Sequence, residues 1–332
     1  MSEDVPVSED ALFREIRLRL SRDDALELCI LLDGVSPLAN FSGYYEILYE
    51  DRLELSRRHG KDGEAGKDGE RPGETTTEKP EDWTELALYF SEPAPESALH
   101  LELLLAARRI GEFELREKVL ERVDYLEAYK RYYRPFLISP RLAIIPSWLK
   151  DDDQAKALLG PGVSPLYLDP GMAFGTGLHP TTRLCLRRLD EMLEPGLALA
   201  DAGCGSGILS IGAALLGASE ILAFDVDGTA VRGASSNLAL NPGIAGRIRV
   251  CKGGFDLPEF ASFSCDLLIA NITENVLIAN RSWIENSSCS RLLQSGVLTE
   301  QRPGVEEAFG DSWELIHADE EDGWALLDWK RK

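Results

Sequence analysis

The chain has 332 residues, of which 57 are acidic and 35 basic, so its formal net charge at pH 7 is −22. This length suggests two domains, and a hydrophobic fraction of 44% is typical of a globular rather than a disordered protein. Because the acidic excess repels phosphate groups at long range, we expect no direct nucleic-acid partner.

Targeting and metal-binding patterns are both missing from the sequence. Residues 1–6 lack the basic and apolar regions of a signal peptide, and no apolar run is long enough to span a bilayer. The 6 cysteines are scattered without a Cys-x-x-Cys pair, and there are only 4 histidines. We therefore expect a cytoplasmic protein with free thiols, no metal and no membrane partner. The pattern leaves the oligomeric state open, and we expect a monomer.

Residues 1–123 are predicted to form a small α+β domain that recognises the substrate. Alternating apolar and polar side chains over 13–21 predict a strand, and a helix begins near Ser21. The remaining elements are a helix over 96–109 and strands over 43–51, 83–90 and 113–119. The order β-α-β-β-α-β is typical of a ferredoxin-like fold.

A glycine-rich segment, residues 56–80, separates the two middle strands of this domain. It has 5 glycines among charged residues and threonines, and no aliphatic side chain longer than that of alanine. This composition predicts a disordered insertion in a hairpin. The Gly-x-y spacing is too short and too poor in proline for a collagen helix.

An aromatic-rich connector over 124–150 leads into a second domain, residues 151–332. From residue 197 onward, short aliphatic runs alternate with helical segments, which predicts βαβ units on a parallel sheet. The predicted strands are 197–202, 221–225, 248–252 and 266–271, and the helices between them include 208–216 and 228–240. Two closing strands, 313–318 and 324–329, predict an antiparallel hairpin at one edge of the sheet.

A glycine-rich turn follows the first strand of the second domain. Asp201, Gly203, Gly205 and Gly207 form the pattern D-x-G-x-G-x-G directly before a helix. Glycines let a ligand approach the backbone closely, and the helix directs its first amides at that ligand. The dinucleotide fingerprint G-x-G-x-x-G needs a third glycine where this chain has Ile208, so a nicotinamide oxidoreductase is the weaker alternative.

A carboxylate ends the next strand. Asp225 lies at the spacing from the glycine turn at which a carboxylate accepts both hydroxyls of a ribose. An isolated aspartate at a strand end is equally a helix cap. Its place after the glycine turn favours ribose recognition.

The glycine turn and the acidic strand end together resemble class I S-adenosylmethionine-dependent methyltransferases. A more specific segment precedes them: residues 169–182 read Asp-Pro-Gly-Met-Ala-Phe-Gly-Thr-Gly-Leu-His-Pro-Thr-Thr. This segment is similar to the signature of the PrmA family, the methyltransferases of the eleventh protein of the large ribosomal subunit. The resemblance extends to residues 145–148, 271–272 and 295–298 and covers 124–332 well, whereas the N-terminal 120 residues match in layout only.

The resemblance implies a two-domain enzyme. Its second domain would be a Rossmann-like, mostly parallel sheet that binds S-adenosylmethionine and releases S-adenosylhomocysteine. Its first domain would recognise the eleventh large-subunit ribosomal protein as substrate. The family transfers several methyl groups to lysine side-chain amines and to the α-amine of that protein.

The resemblance also places site residues. Thr182, Gly203, Asp225 and Asn271 fall where the family contacts the donor, and Asn271 is also the candidate catalytic residue that orients the amine. The cofactor-binding set is completed by the rest of the turn and the loop before it: Asp201, Gly205, Gly207, Phe174 and Thr176. His179 is either a general base or a structural helix cap, and the His-Pro-Thr-Thr sequence favours the cap.

Other functions stay open at this point. A methyltransferase of another protein lysine or of a small amine would have the same donor site, and so would a non-catalytic S-adenosylmethionine-binding protein. A nucleobase substrate is disfavoured. Residues 271–274 read Asn-Ile-Thr-Glu, whereas enzymes that methylate adenine carry Asn/Asp-Pro-Pro-aromatic there.

Overall fold

The computed structural model describes residues 12–21, 25, 28, 41–47, 83–91, 113–121, 130, 133–169 and 177–332. The chain divides into two compact units, residues 1–133 and 134–332. The predicted helix over 96–109, the insertion over 56–80 and most of the connector before residue 133 lie outside the described residues.

The first unit contains an antiparallel four-stranded sheet. Its strands are β1 (Leu12–Ser21), β2 (Phe41–Ile47), β3 (Trp83–Ser91) and β4 (Phe113–Glu121), in the order β2-β3-β1-β4. On β1, Ile16, Leu18 and Leu20 are fully buried while the arginines between them are partly exposed, because successive side chains point to opposite faces. All four predicted strands are confirmed, and the order is that of a ferredoxin-like sheet.

A small three-stranded sheet begins the second unit. It consists of β5 (Phe136–Ser139), β6 (Leu142–Pro146) and β7 (Ser164–Leu168), with β5 antiparallel and β7 parallel to β6. Between β6 and β7 lie a 3₁₀ turn, Ser147–Leu149, and helix α1 (Asp153–Leu158), which Asp152 caps by accepting the Gln154 amide at 2.8 Å. The sequence pattern did not predict these strands, because all five residues of β6 are buried and show no alternation.

The large sheet has seven strands in the order β10-β9-β8-β11-β12-β14-β13. The first five are parallel, and β14 pairs antiparallel with both β12 and β13. The predicted parallel strands and edge hairpin are confirmed. The strands are β8 (Ala198–Ala202), β9 (Glu220–Asp225), β10 (Ile248–Lys252), β11 (Leu267–Asn271), β12 (Arg291–Leu298), β13 (Trp313–Glu321) and β14 (Trp324–Arg331).

Helices cover both faces of this sheet. Leu199, Ile269 and Leu293 pack in one buried cluster with side chains of the helices α2 and α3, whereas Ala200, Leu268 and Leu292 pack in a second cluster with side chains of α6 to α8. The helices are α2 (Pro180–Met192), α3 (Ile208–Leu215), α4 (Gly228–Ala239), α5 (Pro258–Ser262), α6 (Glu274–Ala279), α7 (Arg281–Asn286) and α8 (Arg302–Phe309). The predicted Rossmann-like architecture is confirmed. Among the described residues, no helix is both long and apolar enough to cross a membrane.

The expectation that every cysteine is a free thiol is wrong for one pair. Cys265 and Cys289 form a disulfide, with their Cα atoms 4.8 Å apart. They precede β11 and β12, which are neighbouring parallel strands, so the sheet brings together two residues that are 24 positions apart. In the described part of the chain, Cys185, Cys204 and Cys251 are free thiols.

Candidate functional site

The strand order reverses direction at the centre of the large sheet. From β8, the chain crosses to β9 on one side and later returns to β11 on the other side. In open parallel sheets, ligands bind in the crevice outside the carboxyl ends of strands at such a reversal. We call this region the switch edge, defined by residues 201–207, 225 and 271–272. The structure brings the predicted residues of all three strands together there.

Glycine is required in the turn at the switch edge by both conformation and space. Gly203, Gly205 and Gly207 have φ values of +71°, +51° and +79°, in the left-handed region that side chains disfavour. A Cβ on Gly203 would lie 2.5 Å from Ile272 Cγ2, and one on Gly207 would lie 3.1 Å from Ala234 Cβ. The turn also closes onto β9, since the amides of Gly203 and Cys204 donate to Phe224 O at 2.9 and 3.1 Å.

Asp225 is oriented by backbone amides. Its Oδ2 accepts from the Gly205 amide at 3.0 Å, and its Oδ1 accepts from the Asp227 amide at 2.9 Å. The carboxylate is therefore fixed against the glycine turn while the residue stays partly exposed. Since each carboxylate oxygen has two lone pairs, both oxygens retain capacity to accept a hydroxyl from a ligand.

Asp201 lies at the end of β8, beneath the glycine turn, and is 1% exposed. Burial raises the pKa of its carboxyl to about 6, against the opposing effect of hydrogen bonds from Ser210. Ser210 Oγ donates to Oδ2 at 2.5 Å, whereas Oδ1 is buried without a hydrogen-bond partner.

Among the described residues, two more of the predicted donor-binding residues have a buried side-chain oxygen without a hydrogen-bond partner. They are Thr182 Oγ1, on the first turn of α2, and Asn271 Oδ1, at the end of β11. Buried polar atoms in folded proteins nearly always have partners, and each unpaired one is costly. Like Asp201 Oδ1, each of these atoms is available to a polar ligand, and all three belong to residues that the sequence predicted to bind the donor.

Comparison with known proteins identifies the family. Residues 59–332 match the family model PrmA, described as ribosomal protein L11 methyltransferase. The chain belongs to this family. It is 37% identical over 322 residues to the ribosomal protein L11 methyltransferase of Leptospira interrogans serovar copenhageni, covering 96% of this chain and 99% of that relative. The enzyme of the same name from Streptococcus pneumoniae strain ATCC 700669 is 43% identical over 169 residues, 51% of each chain.

A solved structure agrees with this assignment. The ribosomal protein L11 methylase of Lactobacillus delbrueckii subsp. bulgaricus superimposes with a TM-score of 0.53 and 31% sequence identity, covering 60% of this chain and all of that one. The resemblance inferred from the signature and the glycine turn is confirmed. The protein is a PrmA-family methyltransferase with a Rossmann-like fold.

The loop that carries the PrmA signature is described only in its last part. Phe174 and Thr176, both predicted to bind the cofactor, lie outside the described residues, so their roles stay predictions. Gly177 has φ of +86°, and a Cβ there would lie 2.4 Å from Ile144 Cδ1 of β6. The end of the loop is thus held against the small sheet.

His179 caps α2 in this PrmA-family site. Its Nδ1 accepts from the Thr181 amide at 3.3 Å and lies 2.8 Å from Thr181 Oγ1, and its ring meets Trp324 edge-on with centroids 4.8 Å apart. Burial, with a contribution from the charge of Arg183, lowers the pKa of His179 to about 4. The ring is uncharged at neutral pH, and its contacts support the structural interpretation over a general base.

Sequence reasoning missed several supporting residues. Ile272 fills the space above Gly203, and its amide donates to Ser295 O at 3.1 Å. Gly296 has φ of +78°, and a Cβ there would lie 2.6 Å from Ile272 O. Ser210 and Trp324 were also not singled out. Of these residues, only Gly296 carried a signal in the sequence, because a glycine in a strand often marks a close approach of backbone. The contacts of Ile272, Ser210 and Trp324 form only when the chain folds.

Proposed function

We propose that this protein transfers methyl groups from S-adenosylmethionine to amines of ribosomal protein L11, both lysine side chains and the α-amine. One observation carries the proposal: at the switch edge, the glycine turn and the fixed carboxylate of Asp225 lie beside strand ends whose Asp201 and Asn271 each have an unpaired buried oxygen. The substrate is supported by the names of relatives that align with nearly the whole chain.

The donor would be held from several sides. Gly203 leaves room for its amino-acid part, and Asp225 accepts its ribose hydroxyls. Thr182 Oγ1 is placed to hydrogen-bond the donor, and Asp201 offers a buried negative charge beneath the turn. When bound, the donor supplies a methyl group on a positively charged sulfur.

Asn271 is proposed to act on the incoming amine. Its buried Oδ1 has no protein partner, so it can accept an N–H hydrogen bond and direct the nitrogen lone pair towards the methyl group. A lysine amine is neutral in only about one part in 10³ at pH 7, which costs about 4–5 kcal/mol. Desolvation and a neighbouring positive charge both lower that pKa, so a proton can leave to water without a dedicated base. Much of the acceleration then comes from positioning the two reactants.

The N-terminal domain, residues 1–123 by the sequence-based limits, is proposed to recognise the protein acceptor. The connector 124–150 would join it to the donor-binding domain 151–332. A net charge of −22 attracts a lysine-bearing acceptor, which supports this choice over a nucleic acid. A ribosomal acceptor would also place the reaction in the cytoplasm, with the enzyme acting as a monomer.

Intact-mass spectrometry tests the proposal. Unmethylated ribosomal protein L11 is incubated with S-adenosylmethionine and either the wild-type protein, Asp225→Asn or Asp227→Asn. Asp227 is a matched control, because its carboxylate only caps α4 at the Thr229 amide, 2.8 Å away. We expect several methyl additions with the wild type and Asp227→Asn, and about tenfold slower addition with Asp225→Asn.

Two results would contradict the proposal. Tight S-adenosylhomocysteine binding without methylation of this acceptor would indicate a different amine as substrate. No measurable donor binding by the wild-type protein would reject the cofactor assignment itself.

A further inference from the structure

Helix α2, which carries Thr182, is bound along its length to the β13–β14 hairpin. Arg183 Nε donates to Glu321 Oε1 at 2.7 Å, and Arg187 Nη2 donates to Glu321 Oε2 at 2.7 Å. The carboxylate of Glu321 therefore accepts hydrogen bonds from two arginines that are four residues apart on one face of the helix. Further along, Arg188 Nε donates to the buried Asp328 at 2.8 Å.

Arg183 connects three segments of the chain. Besides Glu321, its guanidinium donates to Asp322 Oδ2 at 2.9 Å and to the backbone oxygen of Leu178. Leu178 belongs to the signature loop, and Arg183 directly follows Thr182. The side chains of Arg183 and Glu321 are only 24% and 23% exposed, so solvent screens this pair less than it screens a surface ion pair.

The same hairpin supports the helix cap. Trp324, the first residue of β14, holds the ring of His179 edge-on, and His179 caps α2 beside Thr182. The turn between the strands has positive φ at Asp322, +49°, and at Gly323, +79°, which fits a tight hairpin connection. The hairpin thus contacts the cap and the first turn of α2, and Arg183 connects it to the backbone of Leu178.

We propose that Glu321, through Arg183, is a positioning residue that places Thr182 and the Leu178 end of the signature loop for donor binding. This inference rests on the proposed function, because it assumes that Thr182 contacts the donor. A guanidinium with three fixed acceptors holds the loop backbone and the helix start in one arrangement. Loss of the carboxylate releases Arg183 and Arg187 together and lets the first turn of α2, which carries the Thr182 hydroxyl, shift.

Calorimetric titration with S-adenosylhomocysteine compares Glu321→Gln with Glu320→Gln. Glu320 is the neighbouring residue on β13 and pairs instead with Arg302 of α8 at 3.2 Å, so the charge change is the same but the connection to α2 is not touched. We expect about tenfold weaker binding for Glu321→Gln and less than about twofold for Glu320→Gln. With Glu321→Gln the KM for the donor should rise, while kcat at saturating donor should change little.

A double-mutant cycle with Thr182→Val separates positioning from a general structural role. If Glu321 acts through Thr182, the two substitutions together cost clearly less affinity than the sum of their separate effects. Fully additive losses, or wild-type affinity in Glu321→Gln, would overturn the inference. If Glu321→Gln does not fold, Arg183→Lys decides, because lysine keeps the charge but cannot donate to Glu321, Asp322 and Leu178 together. Wild-type affinity for S-adenosylhomocysteine in that variant would also overturn the inference. If the wild-type protein itself does not bind S-adenosylhomocysteine, the result contradicts the proposed function instead.

Discussion

Asp201 is a buried carboxylate whose environment disfavours its charged form. Its carboxyl group is buried. Oδ2 accepts a hydrogen bond from the Ser210 hydroxyl, whereas Oδ1 has no hydrogen-bond partner. An aspartate with a raised pKa is less stable as an anion in the folded than in the unfolded chain. We propose that this charge is needed for donor binding.

The substitution Asp201→Asn should therefore stabilise the free protein. Because burial raises the pKa to about 6, the folded state binds more protons than the unfolded state between about pH 4 and pH 6, and the wild type loses stability as pH rises through that window. We expect the variant to gain about 2–3 kcal/mol in free energy of unfolding at pH 7.5 and nothing below about pH 4. Denaturant unfolding of both proteins at several pH values measures this difference in the free energy of unfolding.

The matched control is Asp227→Asn, which changes an exposed cap and should show no such pH-dependent gain. The affinity of Asp201→Asn for S-adenosylhomocysteine should fall at the same time. A variant less stable than the wild type at pH 7.5 would show that the buried anion stabilises the fold, contrary to this account.

Among single residues, the sequence predicted those whose type is set by local backbone geometry. Gly203, Gly205 and Gly207 follow from the conformation of the turn, and Asp225 follows from its spacing after that turn. Ser210, Ile272 and Trp324 could not be predicted as site residues, because serine, isoleucine and tryptophan have many uses and only their contacts assign one.

At the scale of elements, β14 is held to α2 and β12 by Asp328. This side chain is fully buried and accepts from Arg188 Nε and Arg291 Nε, each at 2.8 Å, and from Arg291 Nη2 at 2.6 Å. Two guanidinium groups from different elements therefore share one carboxylate. Removing one partner from a buried ionic group is far more costly than losing an exposed pair.

The variant Asp328→Ala should be destabilised by about 3 kcal/mol, because two arginines lose their acceptor in a poorly hydrated site. Asp311→Ala is the control, because the side chain of Asp311 is 91% exposed and lies 4.0 Å from the guanidinium of Arg281. We expect this variant to lose less than about 0.5 kcal/mol in free energy of unfolding. Thermal or denaturant unfolding measures both. Equal stability of the two variants would mean that the shared carboxylate does not hold the hairpin in place.

Six of the seven strands of the large sheet were predicted from their residue pattern, whereas β12 was not among the predicted strands. Predicted and observed limits of the strand Ile248–Lys252 coincide, and those of the glycine-turn helix differ by one residue. β5 and β6 were missed because the aromatic residues around them suggested a connector, and a short, fully buried strand carries no alternating pattern.

At the scale of the whole molecule, the net charge of −22 should act on the protein acceptor and hardly on the donor site. Raising the ionic strength from about 0.05 M to about 0.5 M shortens the Debye length several-fold and screens long-range attraction. We expect the KM for the protein acceptor to rise at least about fivefold, while the affinity for S-adenosylhomocysteine changes less than about twofold.

Steady-state kinetics and calorimetry at several salt concentrations check this expectation. A salt-independent KM for the acceptor would show that recognition depends on contacts within a close interface rather than on the overall field. An equal loss of donor affinity would indicate that salt acts on the switch edge itself.

The sequence by itself determined the fold class, the glycine turn, the acidic strand end and the family, because these depend on residue types at fixed local spacing. Only the tertiary structure decided which atoms are left unpaired at the switch edge, which cysteines meet, and that Glu321 contacts an arginine 138 residues earlier. Those facts depend on contacts between residues far apart in the chain. Such contacts exist only once strands have paired and helices have packed, and no local pattern encodes them.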